Sequence, residues 1–418
     1  MLCKTVACSL PGALCIFFWW KNGALKWRDM IKTLPFFAVG IPLGLLTAGL
    51  ESALVGASGE YWNLTFWQRF LIASHAWWFY PYKLVWPLDL VFIYPRWQID
   101  IFHLPTWMAP LLAMIFMATL WTQQKKIGRG PFASLAFFSV TIFPALSFFD
   151  LYPMRYSFVA DHFQYLASLG PIVLFSSTIF SWGERISRYK WWRALSLSIF
   201  PLILGMLSYR QTFMYEDAKR LWLCTLAKND RAMIAYNNLG LIYLEEGNLE
   251  EAKKIYARAL SIDPAYGDIH YNLGVVYERE GNVEKAIEQY RKAILINPSD
   301  AQAQNNLGRL YQEKKDFSQA LFHYERSLSS FFSPPVLYNL GALYLEMKAF
   351  EKAIEQYRKI VARFPEEKRV HALLAKAYYA NREYRLAIYH CDLALASHVP
   401  MDPVFLKSLQ SYRISLKH

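Results

Sequence analysis

The pattern of apolar and polar positions divides the chain at about residue 210. Residues 1–210 carry long apolar runs rich in Trp, Phe and Pro, whereas residues 211–418 carry charged and amide side chains at ordinary frequency. A membrane span needs about 20 apolar residues, because a helix rises about 1.5 Å per residue across a hydrocarbon core of about 30 Å. Six segments of the first part meet this length: 3–20, 33–53, 104–122, 131–149, 163–182 and 192–209.

A seventh apolar segment, residues 67–86, is interrupted by Arg69, His75, Pro81 and Lys83. We expect it to be re-entrant or to lie in the membrane interface rather than to cross. The reason is the placement of three basic loops, since Lys and Arg favour the cytoplasmic face. An even number of crossings must separate the first basic loop from the second, but three apolar segments lie between them. The loops hold Lys21, Lys26, Arg28 and Lys32; Lys125, Lys126 and Arg129; and Arg185, Arg188, Lys190 and Arg193.

This topology puts residues 54–103, residues 150–162 and everything after residue 210 on the outer face. The predicted location is therefore the cell (inner) membrane, with several spans and with the second part on the extracytoplasmic, periplasmic side. The bilayer is the first predicted partner. The apolar run after Lys4 lacks a small-x-small cleavage site, and we expect it to be a retained anchor rather than a signal peptide.

The second part repeats itself at a fixed period, which is typical of a solenoid. The segment Tyr236-Asn237-Asn238-Leu239-Gly240 recurs around Gly274, Gly308 and Gly341, in steps of 34, 34 and 33 residues. A weaker fifth copy contains Leu374-Ala375 and Tyr378. Small residues of the second helices follow in register: Ala252, Ala286, Ala320, Ala353 and Ala387. These spacings resemble tetratricopeptide (TPR) helix-turn-helix repeats. We expect each glycine to let the two helices of a repeat approach, with the alanine meeting that spot.

The predicted fold is all-α, a polytopic transmembrane helical domain followed by a TPR α-solenoid. The transmembrane domain takes residues 1–210, and an entry helix or linker takes residues 211–232. Five repeats follow in residues 233–401, and residues 402–418 form a capping helix. No repeat can bury its own apolar face alone, so each repeat is expected to pack against its neighbours.

An asparagine recurs at one place in four successive first helices, and this place is expected to face the concave groove. Amides there can each make two hydrogen bonds to an extended peptide backbone, independently of its sequence. O-linked N-acetylglucosamine transferases resemble this arrangement in their own TPR groove. We expect the amides to face solvent when the groove is empty; alternatively, asparagine is simply common there. The predicted groove comprises Asn238, Asn272, Asn306 and Asn339, flanked by Asn305, Arg309, Tyr271 and Tyr338.

Composition and short motifs indicate no catalytic, metal-binding or nucleic-acid-binding site. The formal net charge of +12 is explained by basic loops beside a membrane, and the absence of a dense Lys/Arg run argues against a nucleic-acid partner. The sequence contains no phosphate-loop motif, no Ser/His/Asp catalytic-triad motif and no metal-ligand spacing, so no cofactor and no metal are predicted. The cysteines have neither metal nor disulfide spacing and are interpreted as small apolar residues: Cys3, Cys8, Cys15, Cys224 and Cys391.

Two predicted outer loops, residues 77–97 and 152–170, carry distinctive text. The first contains Trp77-Trp78-Phe79-Tyr80-Pro81-Tyr82-Lys83, and the second contains Ala160-Asp161-His162-Phe163-Gln164-Tyr165. With repeats behind them, these loops resemble bacterial membrane TPR proteins with a protein O-mannosyltransferase-like (GT-C) module. They are also similar to the transmembrane-and-TPR O-mannosyltransferases, whose motif is Ala-Glu-Arg-x-x-Tyr-x-Pro-Ser-x-Gly. The positions that match it are Ala160, Asp161, His162, Tyr165, Ser168 and Gly170, with Asp for Glu, His for Arg and Ala167 in place of Pro.

The resemblance implies a site for the phosphate of a polyprenyl-phosphate sugar, formed by Arg155, His162, Asp161 and Tyr165. The alternative is an interfacial loop with solvated charges and tyrosine anchors. No catalytic residue is assigned, because the acidic motif that GT-C enzymes carry in their first outer loop is absent. The sequence Met1-Leu2-Cys3-Lys4-Thr5 resembles a stretch that follows several membrane spans in members of this family. An N-terminally truncated chain is therefore expected. Whether the chain is an enzyme therefore stays open.

Three functions remain possible from the sequence. The chain is a membrane-anchored TPR scaffold that binds peptide or protein partners outside the cytoplasm, with an incomplete glycosyltransferase-like module. Alternatively, it is part of a protein O-glycosyltransferase that uses a polyprenyl-phosphate sugar donor. In the third hypothesis it is a cell-envelope assembly factor whose spans only anchor it.

Overall fold

The computed structural model describes residues 8–50, 63–149, 152–186, 190–330 and 332–415, and these residues are almost entirely helical. The chain forms two compact units, Met1–Leu239 and Gly240–His418. The all-α prediction and the TPR solenoid are thereby confirmed for the described residues. The predicted segments 3–20 and 33–53, and the third basic loop, lie partly outside the described residues.

The first unit contains nine α-helices among the described residues, of which α1 to α7 overlap the apolar segments. They are α1 Leu10–Asn22, α2 Trp27–Leu50, α3 Phe66–Val85, α4 Met108–Ile127, α5 Gly130–Ile142, α6 Leu169–Ile186, α7 Lys190–Thr212, α8 Ala218–Lys228 and α9 Met233–Glu245, the last of which ends in the second unit. Short 3-10 helices lie at Leu104–Trp107, Phe143–Ala145, Tyr152–Arg155, Asp161–Gln164 and Phe213–Tyr215.

Helix α3 forms the core of the first unit, and the backbone satisfies its polar interruptions. Arg69 Nη1 donates to the carbonyl of Ser147 at 3.0 Å, and Lys83 Nζ donates to the carbonyl of Leu88 at 2.6 Å. Thr65 and Gln68 form a capping box that fixes the start of the helix. The helix is therefore continuous through the residues that interrupt its apolar pattern.

Helix α3 packs against neighbouring helices and loops of the first unit. Near its start, the Trp67 ring lies 5.6 Å from the Trp107 ring, just before α4. In its second half, Trp77 Nε1 donates to Ser139 Oγ of α5 at 2.8 Å. The Tyr80 hydroxyl accepts the backbone N–H of Ala160, in the chain between α5 and α6, at 3.3 Å. Helix α3 therefore contacts α5 as well as the loops that flank it.

Two helices among the described residues are long and apolar enough to cross a membrane. They are Trp27–Thr47, with a mean hydropathy of 1.6, and Leu104–Ile127, with a mean hydropathy of 1.5. Few of their side chains are buried within the protein. These criteria are length and composition only, and core helices and signal sequences can satisfy them as well. Gly130–Ala145 and Leu169–Trp182 are shorter apolar helices.

The second unit is a row of helix pairs. First helices are α9, α11 Gly267–Arg279, α13 Ala301–Glu313, α15 Pro334–Glu346 and α17 Arg369–Ala380. Second helices are α10 Leu249–Ile262, α12 Val283–Ile296, α14 Phe317–Ser330, α16 Phe350–Arg363 and α18 Tyr384–Ala396. Helix α19, Pro403–Ser415, follows the last pair and buries Leu409 completely.

The turns between paired helices follow a local rule. Gly247 and Gly281 adopt positive φ angles of 76° and 75°, which ends α9 and α11 at little steric cost. Asn248 and Asn282 come next, and their side chains accept the first free N–H groups of α10 and α12. Glycine followed by asparagine therefore both stops one helix and starts the next.

In the first four repeats, the glycine of the first helix packs against a tyrosine of the second helix. A Cβ atom on Gly308 would lie 2.6 Å from Tyr324 Cδ1, and the other repeats show the same arrangement. The expectation named the alanine of the second helix at this contact, whereas the atoms nearest to the added Cβ belong to the tyrosine ring. The physical reason is that a flat ring fills the space above a backbone without Cβ better than a methyl group does. The pairs are Gly240 with Tyr256, Gly274 with Tyr290, Gly308 with Tyr324 and Gly341 with Tyr357.

Candidate functional site

Polar side chains link successive first helices of the second unit along one face. They lie on α11, α13 and α15, where hydrogen bonds run from each helix to the next. We call this set the central strip. It consists of Tyr271, Glu278, Asn305, Asn306, Arg309, Gln312, Asn339 and Glu346.

Between α11 and α13 the strip is held by an amide and a guanidinium. Asn306 Nδ2 donates to the hydroxyl of Tyr290 at 3.1 Å, and the hydroxyl of Tyr271 lies 3.5 Å away. Arg309 pairs with Glu278 on α11 and with Glu313 on its own helix, both at 2.5 Å. The guanidinium is about one-third exposed, so these carboxylates position it at the surface rather than bury it.

Between α13 and α15 the links are mostly amides. Asn339 Nδ2 donates to Asn305 Oδ1 at 3.0 Å, and Gln312 Nε2 donates to Glu346 Oε1 at 2.7 Å. The Lys315 ammonium pairs with the other oxygen of Glu346 at 3.0 Å. The bonds from Gln312 and Lys315 hold the pKa of the Glu346 carboxyl below its usual value. Glu346 therefore stays ionised at neutral pH.

The asparagines do not all face solvent as expected. Asn306 and Asn339 are half-buried and bonded to neighbouring repeats, and Asn272 is only 6 % exposed, so that expectation is wrong for Asn272. Asn306 points towards the tyrosine hydroxyls of repeat two, as its bond to Tyr290 demonstrates. Asn238 belongs to the first unit, where it accepts a hydrogen bond from Asn237 at 3.3 Å.

The residue at one repeat position explains why the polar links lie in the middle repeats. Four residues after the repeat glycine stand Leu244, Glu278, Gln312 and Leu345 in successive repeats. Glu278 and Gln312 accept the hydroxyls of Tyr290 and Tyr324, at 3.3 and 3.0 Å. The equivalent hydroxyls of Tyr256 and Tyr357 are buried and have no partner among the described residues. Leucine in repeats one and four thus confines the bonds from this position to repeats two and three.

A second polar cluster lies in the first unit around Asp161. The Tyr94 hydroxyl donates to Asp161 Oδ1 at 3.0 Å. Burial raises the pKa of the Asp161 carboxyl, while the bond from Tyr94 and the positive charges of Lys83 and His162 oppose that rise. The Lys83 ammonium lies between 5.7 and 5.9 Å from three aromatic ring centres, including that of Tyr94. Asp161, His162 and Lys83 thus share one electrostatic environment.

Arg155 and Tyr165 are the other residues of the expected phosphate site. The Arg155 guanidinium lies over the ring of Tyr156 at 5.7 Å, and Tyr165 is 68 % exposed. Tyr94 was missed from sequence, and Lys83 was noted there only as one of the residues that interrupt the apolar segment 67–86. No spacing rule connects Tyr94 to Asp161, so only the fold brings them together.

The loop before α4 also binds the entry helix α8, all within the first unit. Asn229 Nδ2 donates to the carbonyl of Ile93 at 3.1 Å, and Lys228 Nζ donates to that of Leu90 at 2.9 Å. The Phe92 ring meets the Trp222 ring edge-on, with centres 5.5 Å apart. The start of the repeat region is therefore packed against the loop that carries Tyr94.

The helix pairs and the polar strip together define a helical-repeat scaffold protein. Three sequence models described as tetratricopeptide repeat match the chain, at residues 243–310, at residues 204–267 and 337–400, and at residues 301–331. The chain belongs to the tetratricopeptide repeat family.

Several solved structures are similar to part of the chain. A structure of PilF from Pseudomonas aeruginosa is 33 % identical over 41 % of this chain and 78 % of its own, with a TM-score of 0.38. MamA from Desulfovibrio magneticus RS-1 is 22 % identical over 39 % of this chain and 93 % of its own, with a TM-score of 0.37. YrrB, described as a TPR protein with an unusual peptide-binding site, is 17 % identical over 46 % and 97 %, with a TM-score of 0.40. No curated protein matches the chain.

Proposed function

We propose that the repeat unit is a scaffold that binds an extended peptide segment of a partner protein along the central strip. The observation that carries this proposal is the run of hydrogen-bonding side chains across three successive first helices. Asn305, Asn306 and Asn339 are half-buried, so they reach the surface from fixed positions. An extended backbone presents N–H and C=O groups at regular intervals, which amides can match without regard to sequence.

The charged members of the strip supply selectivity for the partner's side chains. Arg309 is shared between Glu278 and Glu313, and Glu346 between Gln312 and Lys315. A peptide that carries its own charge can replace one of these half-exposed pairings at low cost, since exposed ion pairs contribute only about 0–1 kcal/mol. Peptide backbone and side chains are thus recognised by different members of the strip.

The test uses site-specific photocrosslinking to peptides selected against the full-length chain. A benzophenone amino acid at Asn305 should crosslink a selected peptide, whereas one at Glu288, an exposed position on the second helix α12, should not. Equal crosslinking from both positions, or crosslinking from Glu288 alone, would place binding elsewhere.

We further propose that the first unit anchors the scaffold in a membrane, with the repeats on the extracytoplasmic side. The exposed apolar side chains of α2 and α4 need an apolar environment, which a bilayer supplies. The Trp19 and Trp121 rings stack at 5.4 Å, and the Arg129 side chain lies against Gly23. The first and second basic loops therefore lie at the same end of this unit, which supports a common cytoplasmic face. A common face for these two loops requires an even number of crossings between them, which is why we expect α3 not to cross.

Reporter fusions test this topology. With α3 not crossing, alkaline phosphatase fused after residue 24 or after residue 127 should be inactive, and fused after residue 210 it should be active. A fluorescent reporter that matures only in the cytoplasm should give the opposite pattern. If α3 crosses, the fusions after residues 127 and 210 exchange their results while the fusion after residue 24 serves as an unchanged control.

A second candidate function is binding of a lipid phosphate, such as a polyprenyl-phosphate sugar, at the Asp161 cluster. It is favoured by the convergence of Lys83 and His162 on Asp161. Loss of a charge-assisted bond of about 1.5–3 kcal/mol should weaken binding roughly 10- to 150-fold. Lys83→Ala should therefore weaken polyprenyl-phosphate binding to the full chain, measured by native mass spectrometry. Lys125→Ala is the matched control, and equal effects of the two variants would argue against the site.

A further inference from the structure

The repeat unit contains one four-residue arrangement twice. It consists of Gln304, Tyr311 and His323 in repeat three with Arg291 of the preceding second helix. The same four positions recur in repeat five as His371, Tyr378, His390 and Arg358, each of them 67 residues further along the chain. We call the first set module one and the second set module two. Neither is part of the central strip.

Module one buries a histidine between the two helices of repeat three. The His323 side chain is only 5 % exposed, and its Nδ1 lies 2.7 Å from Gln304 Oε1. Its ring stacks on that of Tyr311, with centres 5.4 Å apart and planes 4° apart. Arg291 donates to the Tyr311 hydroxyl at 2.5 Å and lies over the same ring. A cation therefore already sits against the stacked pair.

Module two repeats this geometry with a second histidine in place of glutamine. His390 Nδ1 lies 3.0 Å from His371 Nδ1, so one nitrogen donates its hydrogen and the other accepts it. The His390 ring stacks on that of Tyr378 at 5.3 Å and 9°. If both rings were protonated, two N–H donors and two positive charges would face each other across this short distance.

Every charged group that the structure records as acting on these rings is cationic. Burial and then the nearby Arg291 lower the pKa of His323 to about 4. Burial, His371 and Arg358 lower the pKa of His390 to about 4, and burial and Lys368 lower that of His371. Gln304, Tyr311 and Tyr378 are the uncharged neighbours. Protonation of the buried His323 is therefore opposed by a cation of the preceding repeat. Protonation of the half-buried His390 is opposed by a cation of the preceding repeat and by His371 of its own repeat.

We propose that modules one and two are acid-sensitive elements that let repeats three and five open as the pH falls below neutral. For these bases the folded pKa lies below the unfolded value of 6.5. The stability they contribute is thus fully present above pH 6.5 and is lost as the pH falls from 6.5 towards 4. Because the protonated form accumulates only in the opened state, acid shifts the equilibrium of each repeat from the closed to the open state. The two modules are separated by repeat four, which has Gln356 at the equivalent position.

Hydrogen exchange of the full chain, read by mass spectrometry and corrected for the intrinsic pH dependence of amide exchange, tests the proposal. With pKa values of 6.5 and about 4, the opening constant should rise roughly 30-fold per module between pH 7.5 and pH 5. This rise should appear in peptides from α14 and α18. Peptides from α10, in a repeat without histidine, should show no such rise.

Variants identify the responsible groups. His323→Gln with His390→Gln removes the titrations of the two stacked rings and should strongly reduce the extra opening in acid, leaving only the contribution of His371, whereas the exposed His398→Gln should leave the response unchanged. An unchanged acid response in the double glutamine variant would overturn the proposal. Should that variant be poorly protected at pH 7.5, Arg291→Gln with Arg358→Gln decides the matter. It keeps both rings but removes the cations, so the acid response should shrink, and a full response would again overturn the proposal.

Discussion

Gly308→Ala is expected to destabilise the repeat unit by about 1–3 kcal/mol, although alanine is the better helix former. The added Cβ would lie 2.6 Å from Tyr324 Cδ1 and 2.7 Å from its Cε1. Tyr324 is fully buried and its hydroxyl donates to Gln312 at 3.0 Å, so the ring cannot move aside without losing packing and a hydrogen bond. Urea unfolding of the full chain, followed by helical circular dichroism, measures the change.

Gly267→Ala is the matched control for this substitution. It also adds one methyl group to a first helix, but its Cβ would lie at ordinary contact distances of 3.5–3.8 Å from its neighbours. It should therefore be neutral or slightly stabilising, because alanine loses less entropy than glycine on folding. If the two variants behave alike, helix propensity rather than the tyrosine ring decides the effect.

The fifth repeat suggests a rescue. There the glycine and tyrosine positions are occupied by Ala375 and Cys391, both fully buried. Tyr324→Cys alone leaves a cavity and should cost about 3–5 kcal/mol, as for other large aromatic truncations. Gly308→Ala with Tyr324→Cys should cost less than the sum of the two single changes, by about 0.5–3 kcal/mol. Strict additivity would mean that these two positions are not in contact.

This pairing also illustrates what the sequence could and could not predict. The period identified Gly308 as a close-approach position, because repetition itself marks a backbone requirement. The alanine was a reasonable partner from register alone, since two small residues at equal spacing suggest mutual contact. Which second-helix residue covers the glycine depends on how the two helices are rotated about their axes. That rotation is set by packing of neighbouring repeats and leaves no signal in the period.

The central strip and the Asp161 cluster were likewise predicted only in part from the sequence. Asn272 was placed correctly in the repeat, but the period gave no sign that its side chain is buried. In the first unit, apolar length located the helices, whereas the bond between Tyr94 and Asp161 joins two loops with no shared spacing. Periodic patterns therefore predicted helices and repeat positions, and contacts between non-periodic segments required the fold.

The burial of Asn272 changes how the groove is best tested. An Asn272→Ala change should lower stability, because it alters a buried polar group, and so it cannot report binding alone. Asn305 and Asn339 are the better pair, since they are half-buried and bonded to each other at 3.0 Å. Replacing both by alanine removes donor and acceptor of that bond together, which leaves neither of the two without its partner. The free energy of unfolding should then change by less than about 1 kcal/mol.

Peptide binding should respond far more strongly to the same pair of changes. If each amide contributes about 0.5–1.5 kcal/mol to a bound backbone, Asn305→Ala with Asn339→Ala weakens binding by about 1–3 kcal/mol, or roughly 5- to 150-fold. Titration of the full chain with a peptide selected against it, by fluorescence anisotropy, gives the affinity. Gln319→Ala with Glu325→Ala, two exposed positions on the second helix α14, serves as the matched control and should not alter it. A double asparagine variant that stays folded and keeps full affinity would remove these amides from peptide recognition, whereas one that unfolds would assign them to holding α13 against α15.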